Sequence, residues 1–221
     1  MRTDDLIQQL ASDAAPVRPL RPLALRVAAW AVVAVTSLIA VMLLMGVRRE
    51  LGDGIDQADF ALQALLLIVT AISAATGALV ISVPGAARSP LVRWLPVVVG
   101  AVCVVWAVGG VVYAAATGAP VGRLTFAWHC VYKTTSVAAV PGVLLFVMLR
   151  RAAPMQPLWA GLLALLGTAA VGVLGANIIC PNDRPLHLLL WHMAPLIAFA
   201  AGGAALGARL LRWPRDLRSP R

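Results

Sequence analysis

Charge is what this chain has least of. Only 12% of its 221 residues are charged, about half of the ~25% usual in soluble domains. The acids avoid the cores of the long apolar runs, so the groups that a proton-coupled transporter needs inside a membrane are missing. There is no glycine-rich phosphate loop, no serine-triad pattern and no intramembrane carboxylate pair. Three cysteines are too few for a secreted disulfide scaffold, and none are spaced as Cys-x-x-Cys. No internal repeat is visible, which argues against an inverted-repeat transporter. The first residues carry Asp4 and Asp5, and apolar character begins only near Leu23. That start does not read as a signal peptide.

What is present is hydrophobic length. Apolar residues make up 61% of the chain and the mean hydropathy is +0.89. A crossing helix needs about 20 apolar residues. Six such runs are expected at residues 23–46, 58–83, 91–116, 125–149, 157–180 and 186–211. The fold class is therefore an all-α integral membrane protein: a six-helix transmembrane bundle preceded by a short amphipathic helix. That helix is expected over 5–14, capped by Thr3 or Asp4, with Leu6, Ile7 and Leu10 on one face. Pro16 ends it, and Pro19 and Pro22 stiffen the linker. Residues 1–22 form one segment, 23–211 the membrane domain and 212–221 a basic tail. Small residues such as Gly203-x-x-x-Gly207 suit close helix packing. The tryptophans, Trp30 among them, mostly suit interfacial belts.

The net charge of +9 is a topology signal, not a nucleic-acid signal. With the N-terminus inside, thirteen arginines fall on inner segments and four, Arg48, Arg49, Arg123 and Arg184, on outer loops. The positive-inside rule then puts both termini in the cytoplasm, with the inner arginines against anionic lipid headgroups. The same topology brings Cys130 and Cys180 to one outer depth; it does not fix their lateral distance. Cys103 sits mid-span as a core residue. His129 adjoins Cys130, and Lys133 lies one turn on. His187 and His192 open the sixth span. A nearby ammonium and a helix N-terminus favour thiolate, so Cys130 is expected to be the more reactive thiol and Cys180 the resolving one. Metal binding by Cys130 and Cys180, with one or two imidazoles, and a redox role both stay open.

Three stretches carry a family resemblance. One is Thr3 to Ala11, with Pro16-Val17-Arg18-Pro19-Leu20 after it. The second is Cys130, then Pro141-Gly142, then Leu149-Arg150-Arg151-Ala152-Ala153-Pro154. The third is Cys180-Pro181-Asn182-Asp183, with His187 and Trp191-His192. In order and spacing the chain resembles the NrsF-type membrane anti-sigma factors of proteobacteria. The resemblance implies a bacterial inner-membrane regulator without catalytic activity. It would hold an extracytoplasmic-function sigma factor through Asp4, Asp5, Leu6, Ile7 and Leu10. It would release that factor when cysteines matching Cys130 and Cys180 sense metal or oxidative stress. His129, Lys133, His187 and His192 are neighbours of that sensor. No cofactor is required, transient zinc or heavy-metal binding fits, and a homodimer stays open. Two rivals are a quinone-linked thiol oxidoreductase and a small metal transporter.

Overall fold

The computed structural model describes residues 2–12, 20–48, 57–83, 85, 89–152 and 154–211. Among these, every regular element is helical, in the order α1 (Thr3–Ser12), α2 (Leu23–Met45), α3 (Gln57–Ile81), α4 (Leu91–Thr117), α5 (Trp128–Ala152), α6 (Pro157–Ile179), α7 (Pro185–Leu188), a π-turn (Leu189–Met193) and α8 (Ala194–Leu210). Six helices are long and apolar enough to cross a bilayer, the last formed by α7, the π-turn and α8 together. The chain is a multi-pass membrane protein. The linker prolines Pro16 and Pro19, the loop residues Arg49, Glu50, Asp53 and Asp56, and the tail 212–221 lie outside the described residues.

Local chemistry explains where the boundaries differ from expectation. α1 starts at Thr3, so Thr3 and Asp4 lie inside its first turn rather than capping it. Asp5 instead reaches back and accepts the Arg2 backbone N–H at 3.2 Å, which is half of a capping box. α5 begins three residues later than the expected Thr125. The Thr125 N–H turns back to the Arg123 carbonyl at 2.9 Å, which takes it out of a helical ladder. At its other end α5 runs through Arg150 and Arg151 to Ala152, close to Pro154, which disfavours helix before it.

α6 is the hub. It is apolar round its whole circumference, and such a helix must be surrounded. Sixteen of its 23 residues are buried. It packs chiefly on α8, α3 and α5. The α6–α8 contact is backbone on backbone: a Cβ on Gly161 would run into the Gly203 carbonyl oxygen and the Gly207 backbone. Only glycine allows that approach, as the small-residue spacing anticipated.

Two helices carry internal prolines, and a neighbouring side chain satisfies what one of them frees. Pro141 cannot donate to the carbonyl four residues back, that of Val137. Ser37 on α2 donates its hydroxyl there at 2.9 Å. Pro96 frees the Val92 carbonyl in the same way, and Gly77 of α3 lies so close that an added Cβ would sit 2.7 Å from it. Trp30 departs from the interfacial expectation. It is 2% exposed and belongs to the core.

At the end of the bundle where α2 begins, Arg26 donates to Ser82 Oγ and to the Met148 carbonyl, both at 3.4 Å. At the opposite end, α2 finishes beside the end of α6, and the Arg48 N–H donates to the Ile178 carbonyl at 3.2 Å. That second end holds the site.

Candidate functional site

Three chain segments each deliver a donor atom to the same point. Cys130 is the third residue of α5. Cys180 follows α6 directly and is extended, at φ −85° and ψ 124°, because the residue before a proline avoids helix. Its N–H still donates to the Ala176 carbonyl at 2.8 Å, so the thiol is anchored to the helix end. His187 lies in α7 and His192 in the π-turn.

The π-turn is what lets both histidines serve one site. Five residues apart on a regular α-helix lie about 140° apart round the axis. The wider turn reduces that angle, and the two rings come to 5.4 Å between centroids. Its cause is local. Pro195 cannot donate to the carbonyl four residues back, and the preceding Ala194 N–H reaches Leu189, five residues back.

The resulting geometry is compact. The two thiol sulfurs lie 3.5 Å apart. His187 Nε2 is 3.3 Å from Cys130 Sγ and 3.4 Å from Cys180 Sγ. With His192 included, four donor atoms lie within 4.8 Å of one another, and all four residues are buried. The thiols are free. Two thiols and two imidazoles at this spacing could hold a soft or borderline metal ion, or the thiols could be oxidised to a disulfide.

A buried polar chain runs behind the cluster. Asn177 Oδ1 pairs with His192 Nδ1, and Asn177 Nδ2 donates to Gln63 Oε1 of α3 at 3.1 Å. An amide oxygen only accepts, so Nδ1 carries the ring proton and Nε2 keeps a bare lone pair. That Nε2 is buried without a hydrogen-bond partner. Beside this chain, Arg48 forms an ion pair with Asp183, and its guanidinium sits 5.3 Å over the Phe60 ring. The pair ties the end of α2 to the Cys180–Asp183 turn. A cleft of about 490 Å³, lined in part by Arg123, Asn182 and Arg184, opens onto His187.

The electrostatics couple the two thiols. The Cys180 thiol is held well below its ordinary range, first by the hydrogen bond with Cys130 and against burial, with the nearby His192 ring and the Asn182 backbone N–H helping. The two sulfurs, 3.5 Å apart, share one proton between them, so each thiol steadies a thiolate on the other.

Of the residues singled out from sequence, the structure brings together Cys130, Cys180, His187 and His192. Lys133 is half-buried one turn along α5. His129 is exposed and stacks on Trp128, 4.1 Å between centroids. Cys103 is fully buried in the core. On α1, Asp4, Asp5, Leu6 and Ile7 are exposed, and the Leu10 side chain lies outside the described residues. Sequence reasoning missed Asn177, Gln63 and the Arg48–Asp183 pair. The available signal was an amide set within the apolar stretch of each of two helices, which is costly unless paired.

A protein-family model described as NrsF, negative regulator of sigma F, matches residues 10–213. No curated protein and no solved structure matches the chain.

Proposed function

The chain belongs to the NrsF family of negative regulators of sigma F, and from that premise we propose that it is an anti-sigma factor of the bacterial inner membrane. Both termini face the cytoplasm, and α1 with its linker holds an extracytoplasmic-function sigma factor. The cysteine cluster lies on the outer side and senses metal or oxidative stress. Sensing lowers the affinity of the inner segment for its partner, and the sigma factor is released.

The observation that carries the reading is the meeting of Cys130 and Cys180, 50 positions apart, at 3.5 Å beside His187. Reactive side chains gathered at the end opposite the start of α2 fit an input separated from an output. The exposed Leu6 and Ile7 of α1 supply an apolar face for a partner, and Asp4 and Asp5 supply its charge. The arginine bias supplies the orientation.

The test is co-purification of the full chain and of a variant lacking residues 1–16 with candidate sigma factors. Retention by the full chain alone is the expected result. Retention by neither, or equally by both, would overturn the partner assignment. Replacing Cys130 and Cys180 with Ser is expected to abolish stress-induced transcription while leaving retention intact.

A further inference from the structure

We infer that Cys130, Cys180, His187 and His192 form a closed four-ligand site for a tetrahedral divalent cation of the zinc type, and that Asn177, backed by Gln63, positions His192 as the fourth ligand. This deepens the sensor reading by naming what the cluster holds at rest, and its readout needs no sigma factor.

Geometry is the first argument. A zinc ion with Zn–S near 2.3 Å and Zn–N near 2.0–2.1 Å at tetrahedral angles sets its sulfur and nitrogen donors about 3.3–3.8 Å apart. The two sulfurs are 3.5 Å apart and His187 Nε2 lies 3.3 and 3.4 Å from them. Small outward movements of these donors reach the metal-bound spacing. His192 completes a set within 4.8 Å, and an inward movement of roughly 1 Å brings its ring to the metal-bound spacing.

Charge is the second argument. Binding takes one proton from each thiol, so two thiolates and two neutral imidazoles surround the dication and the filled site carries no net charge. A buried position tolerates a neutral assembly far better than an isolated ion. No carboxylate enters the donor set, which favours zinc-type ions over calcium or magnesium.

The third argument is the unpaired nitrogen. His192 is fully buried, and its Nε2 has no hydrogen-bond partner. An orphaned acceptor there is costly in the bare protein. Its orientation is imposed from behind: Asn177 Oδ1 takes the Nδ1 proton and Gln63 fixes the Asn177 amide. Metal-binding histidines routinely donate their second N–H in this way, and loss of that partner costs ~10–100-fold in affinity.

The experiment uses the full chain in detergent micelles. Elemental analysis after zinc loading is expected to give one ion per chain. Cobalt in its place is expected to give the intense ligand-field bands of a tetrahedral ion with sulfur-to-metal charge transfer. Absence of bound zinc, or a cobalt spectrum without thiolate bands, would overturn the site. His192→Ala is expected to lose tight binding, and native affinity in that variant would remove His192 from the ligand set. Asn177→Ala is expected to weaken zinc about 10–100-fold, and Asn177→Asp, which still accepts the Nδ1 proton, to recover most of it. Equal affinities in native and Asn177→Ala protein would overturn the positioning role. Helical circular dichroism and melting of each variant identify any that misfold, and the cobalt spectrum of Asn177→Asp keeps the test valid if the alanine variant does. Zinc absent with sigma-factor retention intact would overturn this site and leave the regulator reading standing; zinc bound without retention would do the reverse.

Discussion

At the scale of single residues, the site depends on which thiol gives up its proton. The Cys130 thiol is the main group holding the Cys180 titration low. In chelator-treated protein, Cys130→Ala removes that group and Cys130→Ser keeps a hydroxyl donor. The midpoint of the pH profile for alkylation of Cys180 is therefore expected to rise in Cys130→Ala and to lie lower in Cys130→Ser. The sign follows because loss of a donor to the thiolate disfavours the charged form. Coincident profiles in the two variants would show that Cys130 is not the donor. Arg48 makes a second residue-scale case. Its side chain is 6% exposed and that of its partner Asp183 is 23% exposed. Arg48→Ala strands a largely buried carboxylate, and such losses cost about 3–5 kcal/mol. Partial exposure of Asp183 puts the expected loss below that range, at about 2–3 kcal/mol, read as a lowered unfolding midpoint in detergent. Asp183→Asn in that background is expected to recover part of it. The cysteines and histidines were legible as single residues, because a thiol or imidazole at a span end stands out against leucine and alanine. Their meeting was not legible, since topology fixes depth and leaves lateral position to helix packing.

At the scale of elements, the prolines and glycines decide how the helices meet. The Ser37 bond to the Val137 carbonyl exists because Pro141 freed that carbonyl. Ser37→Ala is expected to cost about 1 kcal/mol in the native background. The cost should be smaller with Pro141→Ala, where the α5 ladder supplies the missing N–H. A double-mutant cycle on unfolding free energies measures the difference, and additive costs would refute the pairing. The Gly161–Gly203–Gly207 contact admits no such relief. Gly203→Ala would put its Cβ against the Gly161 backbone, so α6 and α8 must separate, with an expected cost of about 1–3 kcal/mol or more. The six crossings and the glycine spacing were readable from hydropathy and composition alone. The π-turn was not, although its cause, Pro195, stands in plain sight. A proline near a helix start usually costs nothing, and only the continuous run from α7 into α8 makes it act as an interior proline. Asn177 and Gln63 escaped notice for a similar reason. Each is one amide in a long apolar run, and 114 positions separate them.

At the scale of the whole molecule, the question is how an event at the cluster reaches the segment that precedes α2. The fold offers α2 itself. Its 23 residues rise roughly 34 Å at 1.5 Å per residue, enough to join the two ends. At the cluster end, Arg48 fastens the residues after α2 to Ile178 and Asp183, within five positions of Cys180. At the other end, Arg26 holds α2 to Ser82 of the α3 end and to Met148 of α5. α2 is therefore gripped at one end by the turn that carries a site cysteine and continues at the other into the segment proposed to hold the sigma factor. Turning that partner from ~99% held to ~99% free takes about 5.5 kcal/mol of differential affinity, which a loosely attached helix could not transmit. Arg26→Gln, which keeps two donors but loses the charge and the reach, is expected to leave zinc stoichiometry and affinity unchanged. It is expected to blunt stress-induced transcription at least several-fold in a reporter strain. Induction at the native level, with native zinc binding, would rule out α2 as the coupling element. Loss of zinc binding would show that the Arg26 contacts reach the site itself, and the two ends would then belong to one cooperative unit.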